Sequence, residues 1–227
     1  MGTLIAEDLL LLLLDDDSGR LSHSDKIQPL LGGALMIELA LAERIEVAEK
    51  TSRWSTAKVA VVHGPPVDEP LLVAAISTIG ERPRSAQDLV NRLGKGTRDV
   101  LLERLTERGL VRPVQGKVLG LFPRTTWPAT DRTHEAAVRE RLQGALVHRL
   151  TPDARTSALV ALLSAVGHAH KVVERGDVPA RDVKSRAKEI ADGAWAAKAV
   201  KDAVAAAQAA MTAAVMASTA AATGAGS

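Results

Sequence analysis

The side chains that can carry out catalysis are scattered along this 227-residue chain. The six histidines include one close pair, His168 and His170, and residues two apart on a helix point in different directions. The sequence has no cysteine, no H-x-x-x-H metal pair, no G-x-S-x-G motif, and no Walker or dinucleotide-binding glycine motif. We therefore expect no catalytic residues, no metal and no cofactor.

A basic cluster is the most informative group of charged residues. Lys95 and Arg98 stand at the start of a predicted helix that begins at Thr97. The first N–H groups of a helix lack partners and carry partial positive charge, so such a cluster can bind phosphate or sulfate. The alternative is a solvated face on which neighbouring carboxylates pair with these residues. Two further arginines extend the cluster: Arg84 and Arg92.

The same stretch has a second interpretation. A helix from 86 to 93, a turn, a helix to Arg108 and a hairpin follow the element order of a winged helix-turn-helix. Arg98 and Arg104 would then contact DNA, although acidic residues dilute the candidate recognition helix. DNA binding through residues 85–122 is therefore the alternative function, and nucleic acid is the less favoured partner.

Glu38 lies inside a long apolar segment. The predicted helix from Lys26 to Ala42 is apolar around most of its circumference, which is typical of a helix buried at the centre of a helical protein. A carboxylate there can be a general acid or a ligand, because burial raises its pKa. We favour the commoner arrangement, an ion pair with an arginine of a neighbouring helix.

The elements that must position these residues are mainly helices. Thr3 is expected to cap a first helix through Leu9–Leu14, and alternating residues predict a hairpin of Arg44–Ala48 with Lys58–Val62. We expect a mainly α, single domain over residues 1–218, built around a buried central helix with one or two small β-hairpins, and a frayed tail at 219–227. Further helices are predicted at 70–79, 131–150, 154–171, 179–191 and 195–222.

A second hairpin is predicted within residues 110–122, with its turn at Gln115–Gly116. If its tip is exposed, its apolar side chains are a probe for a membrane or a partner chain; if it folds inward, they are core. We favour the exposed arrangement, because a glycine and a lysine lie near the expected tip. The apolar side chains are Leu119, Leu121 and Phe122.

Charge and composition exclude several classes of protein. With 29 basic and 27 acidic residues, the chain is neither a strongly basic coat protein nor an acidic tail protein, and four aromatic residues are too few for a platform that stacks single-stranded nucleic acid. Residues 81–124 nevertheless carry ten basic and five acidic side chains, a net charge of +5, which can attract an anion locally. No leader or membrane span is recognised, so we expect a cytoplasmic location.

Several blocks of the sequence occur in an order that resembles the Golgi phosphoprotein 3 family. The block Gly33–Leu41 (GALMIELAL), with the leucine run Leu9–Leu14 before it and Arg44-Ile45 after it, is the most specific. The run from Arg98 to Leu110 and the segment Leu119–Pro123 are similar to a second block of that family. The cysteine-free composition, rich in Ala and Arg, suggests a bacterial member.

The resemblance implies a mostly helical domain that binds phosphatidylinositol 4-phosphate at a membrane surface and, in eukaryotic members, the cytosolic tails of glycosyltransferases. The headgroup-binding positions of the family fall on Lys95, Arg98, His23 and Gly32, the last two in place of a tryptophan and an arginine. The family's apolar hairpin, used for membrane insertion and self-association, falls on about Val111–Pro128.

These departures predict a site with a broad preference for anionic phospholipids. We expect binding to strengthen as the pH falls through about 6.5, because His23 would then gain a positive charge. Replacing His23 by Trp, Gly32 by Arg and Lys95 by Arg would restore a preference for the 4-phosphate.

Overall fold

The computed structural model describes residues 2–47, 57–118, 122–193, 202 and 204–213, and these are mainly helical, as predicted. The helices are α1 (Ile5–Leu13), α2 (Ile27–Leu41), α3 (Pro70–Gly80), α4 (Ala86–Gly94), α5 (Thr97–Glu107), α6 (Thr133–Leu146), α7 (Ala154–Ala165), α8 (Ala180–Ala191), a 3-10 helix (Ala169–Lys171) and a helical segment at 204–213. The strands are β1 (Ile45–Val47), β2 (Lys58–Val61), β3 (Arg84–Ser85), β4 (Val114–Val118) and β5 (Phe122–Thr126).

Helix α2 is the centre of the fold. Thirteen of its 15 residues are buried, and α1, α3, α4, α5 and α7 all contact it. All nine residues of α1 are buried as well: the leucine run is apolar on every side, and Glu7 and Asp8 pair with Arg104 and His134. The buried central helix predicted from the sequence is therefore confirmed.

The predicted ion pair of Glu38 is also confirmed. The Glu38 carboxylate accepts hydrogen bonds from Arg155 of α7 and from the Ile5 backbone N–H, the latter at 2.5 Å. Burial raises the pKa of Glu38, and the Arg155 guanidinium opposes that shift. The contact joins α2 to α7 and to the start of α1, so Glu38 has a structural partner.

Two glycines allow α2 and α4 to approach closely. A Cβ at Gly32 would overlap the carbonyl oxygen of Val90, and a Cβ at Gly94 would overlap that of Gln28. Because glycine alone lacks a Cβ, both positions require it. Gly32, one of the four predicted headgroup-binding residues, is thus buried in a helix crossing.

The first hairpin forms as predicted and gains a third strand. β1 and β2 pair antiparallel, with Ile45 opposite Val61, and β3 adds to the other edge of β2. Ser85 ends β3 and its hydroxyl accepts the Asp88 N–H at 3.2 Å, capping α4 as predicted. β3 therefore belongs to this sheet, and the β4–β5 hairpin is a separate one.

The second hairpin reverses later than predicted. Gly116 pairs with Arg124 in the middle of the strands, and Val118 opposite Phe122 is the last pair, so the chain turns between those two residues. The predicted turn at Gln115–Gly116 is wrong because the extended pairing continues through it. Of the predicted apolar residues, Phe122 begins β5, whereas Leu119 and Leu121 lie outside the described residues.

Two predicted helix boundaries also differ. The predicted cap Thr3 is wrong: Leu4 precedes α1, and its N–H donates to the Glu7 carboxylate at 2.8 Å. The predicted helix 154–171 ends at Ala165, because Gly167 adopts a left-handed conformation, with φ of +65°. No helix within the described ranges is long and apolar enough to cross a membrane.

Candidate anion-binding site

A tight turn between α1 and α2 holds Arg20. The Asp15 carboxylate accepts the Ser18 N–H at 2.7 Å, and the hydrogen bonds from Ser18 lower the pKa of Asp15. The Asp15 N–H donates to the Arg20 carbonyl at 2.9 Å, and a backbone bridge joins Leu14 to Leu21. The backbone of Arg20 is therefore fixed on both sides.

Gly19 brings this turn against the residues that follow β5. Its φ is +63°, and a Cβ at this position would overlap the backbone of Trp127 and Pro128. The Gly19 carbonyl accepts the Trp127 N–H at 2.9 Å, and the Asp16 carbonyl accepts the Ala129 N–H at 3.0 Å. The turn and the end of the hairpin are thus bonded along their backbones.

A cavity of about 140 Å³ lies where the turn, the start of α5 and β5 meet. Three arginines line it, one from each element: Arg20 from the turn, Arg98 from α5 and Arg124 from β5. Ser24 and Trp127 also line it. We call this cavity the arginine pocket.

The positive charge of the arginine pocket is only partly compensated. Arg98 forms an ion pair with Asp99 at 2.7 Å, and both side chains are substantially exposed. Within the described ranges neither Arg20 nor Arg124 forms an ion pair, although the charge of the nearby Asp15 carboxylate interacts with that of Arg20. Guanidinium groups bind phosphate and carboxylate through paired hydrogen bonds, so the pocket suits a small anion.

The predicted headgroup ligands fall in different places. Arg98 lines the arginine pocket, and Lys95 is exposed in the turn between α4 and α5. His23 is half-buried, and its Nε2 lies 3.0 Å from Nδ1 of His168. The fourth predicted ligand is the buried glycine of α2. Of the four predicted ligands, the structure therefore places Arg98 in the pocket. Lys95 lies three residues before Arg98 in the sequence.

Two arginines of the predicted basic surface are occupied elsewhere. Arg84 is 6% exposed and forms an ion pair with Glu81 at 2.7 Å. Arg104 donates to Glu69 and, at 3.0 Å, to the fully buried Glu7. The prediction that Arg104 is available to DNA is therefore wrong, because both of its carboxylate partners hold it against the protein.

His23 is not a free titrating group on the surface. Burial and the nearby Lys26 and Lys171 lower the pKa of His23, and burial lowers the pKa of His168 to about 4. The lowered pKa of His23 runs against the expectation that this ring gains its charge near pH 6.5.

A larger cavity, of about 840 Å³, shares Leu14 with the arginine pocket. Asp17 on its wall bonds to Arg132 at 2.6 Å, and Arg139 bonds to Glu135 at 2.5 Å. Five carboxylates and three cations line this larger cavity, so its lining is acidic on balance, unlike that of the arginine pocket. Within the described ranges, no three His, Asp or Glu side chains are placed to hold a metal ion.

Sequence reasoning did not assign Arg20, Ser24, Arg124 or Trp127 to the pocket. The run Asp15–Gly19 indicates a turn, so the position of Arg20 after it was a local signal. No local signal shows that this turn meets β5, because the contact depends on the close approach of Gly19 to distant backbone.

Comparison with known proteins places most of the chain in one family. The model of the Golgi phosphoprotein 3 (GPP34) family matches residues 5–207. A relative described as vacuolar protein sorting-associated protein 74, from Eremothecium gossypii, is 28% identical over 220 aligned residues. That alignment covers 82% of this chain and 66% of the relative, so the chain spans just under two thirds of the relative's length.

Proposed function

Because this chain belongs to the Golgi phosphoprotein 3 (GPP34) family, we propose that it is a peripheral membrane-binding protein that recognises an anionic phospholipid headgroup. The convergence of Arg20, Arg98 and Arg124 on one small cavity carries this proposal. The first candidate ligand is phosphatidylinositol 4-phosphate or a related lipid. The role is one of binding without catalysis, at the cytoplasmic surface of a membrane.

The chemistry of the arginine pocket favours a phosphate monoester. Such a group carries more negative charge than the phosphodiester of an ordinary phospholipid, and its oxygens accept paired hydrogen bonds from guanidinium groups. The volume of about 140 Å³ is below that of a site for a drug-sized molecule, so the pocket fits one charged group rather than a whole lipid. Ser24 adds a hydroxyl that can donate to a phosphate oxygen.

Lys95 has a different role in this proposal. Its side chain is exposed on the turn before α5, outside the pocket lining. An exposed lysine near an anionic leaflet contributes about 1 kcal/mol through the surface potential. Lys95 therefore draws the protein to the membrane, whereas the arginines select the headgroup.

The hairpin is proposed as the second point of attachment. The described side chains of β4 from Val114 to Lys117 are exposed, which supports a hairpin that stands out from the core. We propose that the apolar residues Leu119, Leu121 and Phe122, which follow Val118 in the sequence, enter a bilayer or contact a second copy of the chain.

An adaptor role is the last part of the proposal. The name of the relative associates that protein with vacuolar protein sorting. We extend this to the chain as a partnership with the cytosolic tails of membrane proteins, bound while the arginine pocket holds the lipid.

Cosedimentation with vesicles tests the proposal. Phosphatidylcholine vesicles that contain phosphatidylinositol 4-phosphate are compared with vesicles of equal charge that contain phosphatidylserine. Replacing Arg20 and Arg124 together by Ala should weaken binding about tenfold or more, because two cations at the membrane surface are lost. Arg181, 86% exposed on α8, provides the matched control, Arg181→Ala.

Wild-type binding by the folded Arg20→Ala and Arg124→Ala double variant would contradict the site. A gel shift with duplex DNA that weakens steeply with salt would instead support the DNA-binding alternative.

A further inference from the structure

We infer that His168 is a positioning residue for the arginine pocket. Its ring holds the ring of His23, and this contact fixes the segment that carries Ser24 to the pocket. His168 itself does not line the pocket. The inference rests on the function proposed above, since it concerns the same pocket. Nε2 of His23 and Nδ1 of His168 are 3.0 Å apart, and the rings meet edge to face with centroids 5.0 Å apart. Ser24, the next residue, lines the pocket.

His23 lies in the segment that this contact is inferred to fix in place. His23 has a φ of +54°, a left-handed conformation that a residue with a Cβ adopts at a cost. Its carbonyl accepts the Lys26 N–H at 2.8 Å, which closes a local turn, and the preceding Ser22 N–H donates to the Leu13 carbonyl at 2.8 Å. The ring contact with His168 supplies a link to a distant part of the chain.

The His168 side is a rigid anchor. Gly167, with φ of +65°, ends α7, and the His168 N–H donates to the Leu163 carbonyl at 2.8 Å. His168 is 9% exposed and lies at the start of the 3-10 helix. A ring held in this way can fix the segment that contacts it.

A hydrogen bond between the two facing nitrogens requires that one of them donates and the other accepts, so the contact has a defined response to pH. The hydrogen bond survives while the pair is neutral or carries one added proton, because one nitrogen still accepts. A second proton would place two donors face to face and break it. The charged or titratable groups that face the pair are mostly cations and oppose that proton: Lys26, Lys171, His170 and Arg139, with Asp25 as the acidic exception.

The test compares two replacements of one ring. His168→Asn keeps a polar atom near the position of Nδ1, whereas His168→Leu removes it. His170→Leu, two residues along the 3-10 helix, is the matched control. Hydrogen exchange of the backbone amides at 22–26 is measured in the lipid-free protein, and affinity is measured for soluble glycerophosphoinositol 4-phosphate.

We expect His168→Leu to raise amide exchange at 22–26 and to weaken headgroup binding, each about fivefold, the effect of one lost hydrogen bond. His168→Asn should restore both, and His170→Leu should match wild type. In wild type, exchange at 22–26 should also accelerate relative to the rest of the chain when both rings become protonated. His168→Asn should lack that acid step, which a merely structural histidine would not produce.

The controls separate this inference from the proposed function. If Arg98→Ala loses headgroup binding while His168→Leu keeps wild-type affinity and exchange, the positioning role is overturned and the function stands. If Arg98→Ala binds as wild type does, the function fails. Faster exchange at 22–26 in His168→Leu would then still support the contact as the hold on this segment, and unchanged exchange would overturn it.

Discussion

The Gly19 carbonyl accepts a hydrogen bond from the Trp127 N–H at 2.9 Å, and this contact sets Arg20 beside the strand that carries Arg124. The two residues come from opposite halves of the chain. The turn around Gly19 is short and the backbone approach is close, so the contact tolerates no side chain on the glycine. The arginine pocket depends on it.

Gly19→Ala is therefore expected to damage the pocket. An added Cβ meets the backbone of Trp127 and Pro128, and the φ of +63° disfavours alanine, so we expect a loss of about 2 kcal/mol in the free energy of unfolding. Vesicle binding should fall with it. Gly116→Ala, where the nearest backbone atom is 3.8 Å from a new Cβ, is the control. Wild-type binding by Gly19→Ala would count against the role of the turn.

A second prediction concerns the crossing of α2 and α4. Gly32→Ala should destabilise the protein by about 3 kcal/mol, because a Cβ there overlaps the Val90 carbonyl and two helix backbones must separate. Gly32→Arg should therefore unfold the domain instead of adding a phosphate ligand. Gly80→Ala is the matched helical control, since the nearest atom to its Cβ is a Val61 methyl at 3.8 Å. Urea denaturation measures all three; equal stability of Gly32→Ala and wild type would refute the packing role.

Part of this structure follows from local sequence. The leucine run of α1 and the block Gly33–Leu41 have no polar face, which is why the buried central helix was predictable. The sequence predicted that Glu38 pairs with an arginine, since a buried carboxylate needs a cation. It did not predict which arginine. Ser85 and the start of α3 at Pro70 are ordinary capping signals, and both were predicted correctly.

The site was much less predictable. Its arginines lie on three segments that are brought together by backbone contacts. In addition, a residue at a position that binds the headgroup in the family need not contact the site when its type has changed. Gly32 shows this: with no side chain, the position became a close helix crossing. His23 shows it too, because its ring turns to His168 instead of forming a wall of the pocket. Trp127 provides the aromatic wall from another part of the chain.

The separate roles proposed for Lys95 and Arg124 give a third prediction. Lys95→Ala should weaken binding to anionic vesicles about fivefold, through the surface potential, and leave the affinity for a soluble headgroup unchanged. Arg124→Ala should weaken both. Measuring the two variants against vesicles and against glycerophosphoinositol 4-phosphate decides the matter. A loss of soluble-headgroup affinity in Lys95→Ala would place that lysine inside the site.

The fourth prediction is a dependence of stability on pH. The pKa of His168 is about 4 in the folded protein against a usual 6.5, so the unfolded state binds the proton more tightly. The contribution of His168 to the free energy of unfolding is fully present above pH 6.5. It is lost as the pH falls towards about 4, and the loss is about 3 kcal/mol at most. Burial raises the pKa of Asp8 and of Glu38, so their contributions run the other way.

Comparing wild type with His168→Asn isolates the histidine. The difference in the free energy of unfolding between the two proteins should change as the pH falls from 6.5 towards about 4, in favour of the variant. A difference that stays constant across this range would show that His168 does not titrate differently on folding.

Calorimetric titration of the protein with glycerophosphoinositol 4-phosphate tests the central claim most directly, because it removes the membrane and its surface potential. We predict saturable binding at one site. In the Arg98→Ala and Arg124→Ala double variant, the affinity should fall about tenfold or more while the protein stays folded. Wild-type affinity in that folded double variant would contradict the assignment of headgroup recognition to the arginine pocket.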